Sequence, residues 1–275
     1  MTNNPGNELG GTNTNNQSEN IPERVAPSYN AGKKRLKEYL LEGLLIFVAV
    51  SMGFIAENVR EEVKEHSDIK ESMISLLDDL KSDIEKNGTG LIRNEYSIQQ
   101  SDSLIYTLNH RIQNTKDIYF FSRAVTVNID YLYPNMRTFE QMKSSGLLRA
   151  IKNKQLANLI GIYYSGFQAV DYQTALINQK IIDVHAANAE VLNAFVLHEQ
   201  ASVKISDSSI IQKVARPTTN PPLLTSDKIK INKVAIQYLY LRGVIILYNE
   251  PLKKLNEKAK DLIEEIKKEY NLEVE

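Results

Sequence analysis

Apolar residues fall along this chain in two patterns, and the change from one to the other divides it. From Gly43 to Ala56 they run without a charged residue (GLLIFVAVSMGFIA). Beyond that run they recur at three- and four-residue steps: Val59, Val63, Met73, Leu77, Leu80, Ile84 and Leu91, interrupted at His66 and Lys70. The first pattern belongs to a helix that is apolar all round, the second to a helix with one buried face. At about 1.5 Å per residue the uncharged run reaches roughly 21 Å, short of the ~30 Å hydrocarbon core of a bilayer. Extended from Tyr39 to Val59 it reaches about 31 Å and admits Glu42 and Glu57 only near its ends, where an acid can reach headgroups or water.

Three readings of this stretch compete: an uncleaved membrane anchor, a cleaved signal peptide and a soluble core helix. The flanks favour the anchor. Lys33, Lys34, Arg35 and Lys37 precede the run, and the exit (Glu57, Arg60, Glu61, Glu62, Lys64, Glu65) carries fewer positive charges. The N-terminus is therefore expected in the cytoplasm and the bulk of the chain outside it. Cleavage after Ala49-Val50-Ser51 would leave too short an apolar segment, and Phe54 is a poor residue three before a cut at Ala56. One third of the helix circumference collects Glu42, Ile46, Ala49, Gly53, Ala56 and Glu57. Ala49 and Gly53, four apart, are small enough to admit a second helix, a second copy or another membrane protein. The plainer reading is that Glu42 and Glu57 mark the two interfaces.

The rest of the chain continues helical signals. Asn87-Gly88-Thr89-Gly90 is expected to end or kink the first long helix, with Leu91, Ile98, Ile105, Leu108 and Ile112 carrying a second. Residues 113–134, mixing β-branched and aromatic side chains, read as irregular. Thr138-Phe139-Glu140-Gln141 has the spacing of a capping box, opening a short helix that Gly146 ends. Residues 153–197 read as one long amphipathic helix, bent near Gly161 or Gly166. Residues 202–227, with Pro217, Pro221 and Pro222, read as a loop. Residues 229–270 form a last helix that Pro251 should kink or divide. Arg242, central in VAIQYLYLRGVIILY, argues against a second span. The fold class is all-α: an N-terminal transmembrane helix running into an extracytoplasmic antiparallel bundle of long helices. The expected divisions are a disordered cytoplasmic tail at 1–32, too short for a signalling domain, an anchor with its basic flank at 33–60, and the helical bundle at 61–275.

Composition narrows the chemistry. Among 275 residues, 33 basic and 34 acidic side chains nearly cancel, which argues against nucleic acid as a partner. With no Cys there is no disulfide and no thiol or zinc-thiolate site. His66, His110, His185 and His198 form no metal-binding spacing, and phosphate-binding loops and nucleophile elbows are lacking. Asp78, Asp79 and Asp83 read as a solvated face. Tyr163, Tyr164, Phe167 and Tyr172 read as core packing between helices, with a ligand pocket as the alternative.

Two segments resemble an uncharacterised bacterial single-span family, the domain of unknown function 6090 family. In LLEGLLIFVAVSMGFIAENVREE, Glu42 falls at the family's acid and Glu57, Asn58 and Arg60 in its polar exit, while Ala49 and Val59 depart from an expected Gly and Trp. In TFEQMKSSGLLRAIKNKQLANLIGIYY, Ser144, Ser145, Gly146, Leu156, Tyr163 and Tyr164 match its helix, turn and paired aromatics. The resemblance implies a membrane protein and no activity.

The expected function is a non-enzymatic structural or protein-interaction module, without cofactor or metal, anchored in the bilayer of the inner membrane with its bulk in the periplasm. The alternative is a ligand-binding sensor that signals through its single span to a partner.

Overall fold

A computed structural model describes residues 32–202 and 210–272, and every regular element among them is a helix. The elements are α1 (Gly32–His110), α2 (Thr115–Val127), α3 (Arg137–Ser145), α4 (Leu147–Ala150), α5 (Lys154–Ser165), α6 (Phe167–Ala189), α7 (Ala194–Ser202) and α8 (Lys228–Tyr270). The expected tail lies outside the described residues, apart from Gly32, which opens α1. The chain separates into two compact units between Val59 and Arg60.

In the first unit α1 is long and apolar enough to cross a membrane, and none of its apolar window is buried within the chain.

In the second unit, α1 faces its neighbours with an uninterrupted alternation of three- and four-residue steps: Met73, Leu76, Leu80, Asp83, Asn87, Gly90, Asn94, Ser97, Ser101, Leu104 and Leu108, all buried. That spacing keeps one seam aligned along a long helix. Its ends are apolar and its middle, Asp83 to Ser101, is polar or glycine. The helix therefore does not end or kink into a second element at Asn87–Gly90. Asn87 is buried and its amide donates to the carbonyl of Leu252 at 2.9 Å, and a Cβ at Gly90 would meet Asp130 at an ordinary 3.6 Å. Two helical glycines cost about 1 kcal/mol each relative to alanine, which packing along this seam outweighs.

α8 runs antiparallel to both α1 and the α5–α6 pair. Against α1, Arg242 approaches Asp102 at 2.7 Å, Asn249 accepts from Asn94 at 3.0 Å and Leu252 meets Asn87. The Arg242–Asp102 approach is an ion pair without hydrogen-bond alignment at Nε. Against α5 and α6, Asn188 donates to Tyr238 at 2.8 Å, Lys233 to Glu190 at 2.7 Å, and Asn153 to Glu269 at 2.8 Å. Asp227 caps α8 by accepting from the Ile229 amide at 2.8 Å, and Asn271 closes it in a left-handed conformation at φ 47°. Pro251 does not divide α8. The lost amide bond and ring clash, about 3 kcal/mol, are held within a segment whose Tyr248, Leu252 and Leu255 are all in the core.

Three further expectations change. Residues 115–127 are helical, because Ile118, Tyr119, Ser122 and Val125 lie on one buried face at helical spacing. Irregular chain follows from Asn128 to Met136. Thr138 caps nothing: α3 starts at Arg137 after Met136 with no side-chain cap, and Thr138 is buried in the first turn. Gly146 does end that helix, at φ 84°. The single helix expected over 153–197 is three. It breaks at Gly166, where a Cβ would come within 2.7 Å of Leu255 Cδ2, and again over Glu190–Asn193, while Gly161 leaves α5 intact. Asn153 caps α5 by accepting from the Leu156 amide at 3.1 Å. The expected loop holds over 210–227; residues 203–209 lie outside the described residues.

Candidate functional site

Glu42, Ala49, Gly53 and Glu57 all lie on α1 and are all exposed, and a Cβ added at Gly53 would meet nothing within 4 Å. Around them eleven large apolar side chains from Leu40 to Ile55 are exposed, Phe47 and Phe54 each at 69%. A fully buried side chain of this kind is worth about 1.5–3 kcal/mol, so this surface left in water forgoes roughly 10–20 kcal/mol. That matches or exceeds the whole stability of an ordinary domain, about 5–15 kcal/mol. The helix leaves apolar surface uncovered around its circumference.

The second assembly of chemically capable side chains is the polar middle of the α1 seam, which grips the irregular segment 128–136. Asp83 is 2% exposed. Its Oδ1 accepts from the Asn135 amide at 3.0 Å and its Oδ2 from the Tyr163 hydroxyl at 3.1 Å. Asp79, one turn earlier and also buried, accepts from the Asn135 side-chain amide at 2.5 Å. Tyr164 donates to the Asn135 carbonyl at 3.4 Å. Further along, Asn94 grips the backbone of Asp130 through both amide atoms, accepting at 2.9 Å and donating at 3.3 Å. Arg93 binds the Asp130 carboxylate at 2.7 Å and the Val127 carbonyl at 3.0 Å. From α8, the Tyr248 hydroxyl accepts from the Leu132 amide at 2.7 Å. An irregular segment has no ladder of its own, so side chains from three helices supply bonds its backbone would otherwise lack.

Burial raises the Asp83 carboxyl against the Asn135 and Tyr163 donors and Lys86, which lower it, and Asp79 raises it a little more. Tyr163 and Tyr164 are raised far above ordinary phenols, by burial first and by Asp83 second. Their rings pack edge to face at 4.9 Å, Phe167 meets Tyr163 at 5.2 Å, and Phe139 stacks on Tyr164 at 4.2 Å. Tyr163, Tyr164 and Phe167 are thus core, 2–4% exposed, while Tyr172 stands apart at 69%. The solvated face expected of the acids holds for Asp78 and fails for Asp79 and Asp83, each of which is buried and gives one oxygen to Asn135. Asn135 itself was not legible from the sequence. The available signal was that Asp83 falls in step with Leu76 and Leu80, on the buried face.

Among the described residues no three His, Asp or Glu side chains are placed to hold a metal ion. No protein-family model, curated protein or solved structure matches the chain.

Proposed function

We propose that the chain is a membrane-anchored interaction module: the first part of α1 crosses the inner membrane once, and the helical body from Arg60 onward stands in the periplasm and works by contact with other proteins. The observation that carries this reading is the uncharged and, but for Ser51, apolar surface of Gly43–Ala56, left exposed by the chain, which water does not tolerate and a bilayer does. The basic run Lys33–Lys37 before it supports a cytoplasmic N-terminus. The face bearing Glu42, Ala49, Gly53 and Glu57 is the proposed contact for a second copy or another membrane protein, since small residues four apart let two backbones approach. The resemblance to the domain of unknown function 6090 family belongs to the same proposal, and no catalytic role is assigned.

Single cysteines at Ser28 and Ser208, in a chain with none of its own, test this reading. With a membrane-impermeant thiol reagent on intact cells, Ser208→Cys is expected to label and Ser28→Cys is not, with the protein in the membrane fraction. A soluble protein, or labelling reversed between the two positions, overturns it.

A further inference from the structure

A cavity of about 350 Å³ lies between α2, α6 and α7, within the size range of small-molecule sites. Its polar lining comes from Ser122, Arg123 and Thr126 of α2 and His185 and Asn188 of α6, its apolar wall from Leu192, Leu197 and Leu224, and no carboxylate borders it. Two of these polar side chains are buried with hydrogen-bonding atoms unused: Ser122 Oγ, on a residue 2% exposed, and Asn188 Oδ1, on a residue 8% exposed.

The orientation of Asn188 is set by its neighbour. The Tyr238 hydroxyl donates to the Ser122 carbonyl at 3.0 Å, so it can only accept from Asn188, and the 2.8 Å contact is therefore to the Asn188 NH₂. The amide orientation is thereby fixed, with Oδ1 turned away from Tyr238. Ser122 differs from several other helical hydroxyls of the chain. Ser72, Ser101, Ser103, Thr107 and Thr174 each donate to the carbonyl four residues back. Ser122 has no such bond. Buried polar atoms left without partners are destabilising, and a bound group would complete these two. Arg123 adds a guanidinium with no carboxylate partner among the described residues.

We propose that this cavity binds a small carboxylate bearing an adjacent hydrogen-bond donor, an α-hydroxy or α-amino acid. The carboxylate meets Arg123 with His185 at the mouth, the ligand's O–H or N–H is donated to Asn188 Oδ1, and Ser122 completes the contact. The proposal stands independently of what covers the span of α1.

The test is isothermal titration of the full chain in detergent micelles with lactate, glycerate and serine, and with propionate as the carboxylate without a donor. Saturable binding of at least one of the first three, at least tenfold tighter than propionate, is expected. Arg123→Gln is expected to weaken it by roughly 10- to 100-fold, the range for a charged hydrogen bond. Ser122→Ala is the sharper variant. It removes an atom with no intramolecular partner, so a merely structural role leaves binding unchanged. A ligand role weakens binding roughly three- to tenfold with no loss of thermal stability. No saturation with any of the three up to about 10 mM, far weaker than useful recognition, overturns the proposal, as does binding indifferent to both substitutions.

Discussion

Asp83 keeps a carboxyl in the core by giving each oxygen a donor, and its two donors make separable predictions. Tyr163→Phe removes the hydroxyl at 3.1 Å and nothing else, and is expected to cost about 1.5–3 kcal/mol in chemical denaturation, as for a bond to a charged group. Asp83→Asn keeps the shape, with the Tyr163 hydroxyl turned to accept from the new amide. Because burial holds the folded-state value above the ordinary 3.8, the contribution of Asp83 is fullest below that value and is lost as pH rises through the raised one. Wild type should therefore lose stability relative to Asp83→Asn as pH rises above the ordinary carboxyl range, read as a shift in the Tm difference between the two. A gap that does not change with pH refutes the assignment. None of this was legible from Asp78-Asp79 alone. A pair of acids on a charged helix reads as surface until the three- and four-residue count from Met73 is carried through Leu80 to Asp83 and on to Asn94.

The same count explains which elements sequence reading recovers. α8 and the two ends of the α1 seam are plain because their buried positions are apolar. The middle of the seam replaces apolar residues with Asn, Ser and Gly, so local helix-breaking propensity at Asn87–Gly90 appeared decisive when contacts with Leu252, Asn249 and Asp130 decide. α2 was hidden for the opposite reason: its Val, Thr, Tyr and Phe suit a strand in isolation, and only their burial at Ile118, Ser122 and Val125 makes a helix. The glycines separate the two influences experimentally. Gly88 has open space around its missing Cβ, so Gly88→Ala is expected to raise stability by about 0.5–1 kcal/mol. Gly166 sits where a Cβ would lie 2.7 Å from Leu255, so Gly166→Val is expected to lower it by about 1–3 kcal/mol through overpacking. Thermal unfolding of both variants reads the contrast, and equal effects of the two would refute it.

For the whole molecule, the expected all-α chain with one apolar helix near its start agrees with the described residues, while the address and the contact partners rest on the proposal above. Phe47→Arg tests it at this scale: an arginine near the middle of the span costs about 2.5–3.5 kcal/mol of insertion, and the fraction of protein resisting carbonate extraction should fall. The polar block of the α1 seam has a consequence of its own. An all-leucine seam could slide by seven residues and find equivalent neighbours. Here such a slip would carry Asp83 and, by its direction, either Asn87 or Asn94 away from the Asn135 amide and the Leu252 carbonyl or Asp130 backbone, while the other Asn, seven residues off, takes its fellow's place. Each stranded group would then charge its desolvation against the slipped state. The block acts as a key that fits one notch, so deleting a single heptad upstream of Asp83, though it leaves the apolar phase untouched, sets the two ends of α1 in conflict over where the helix is to lie.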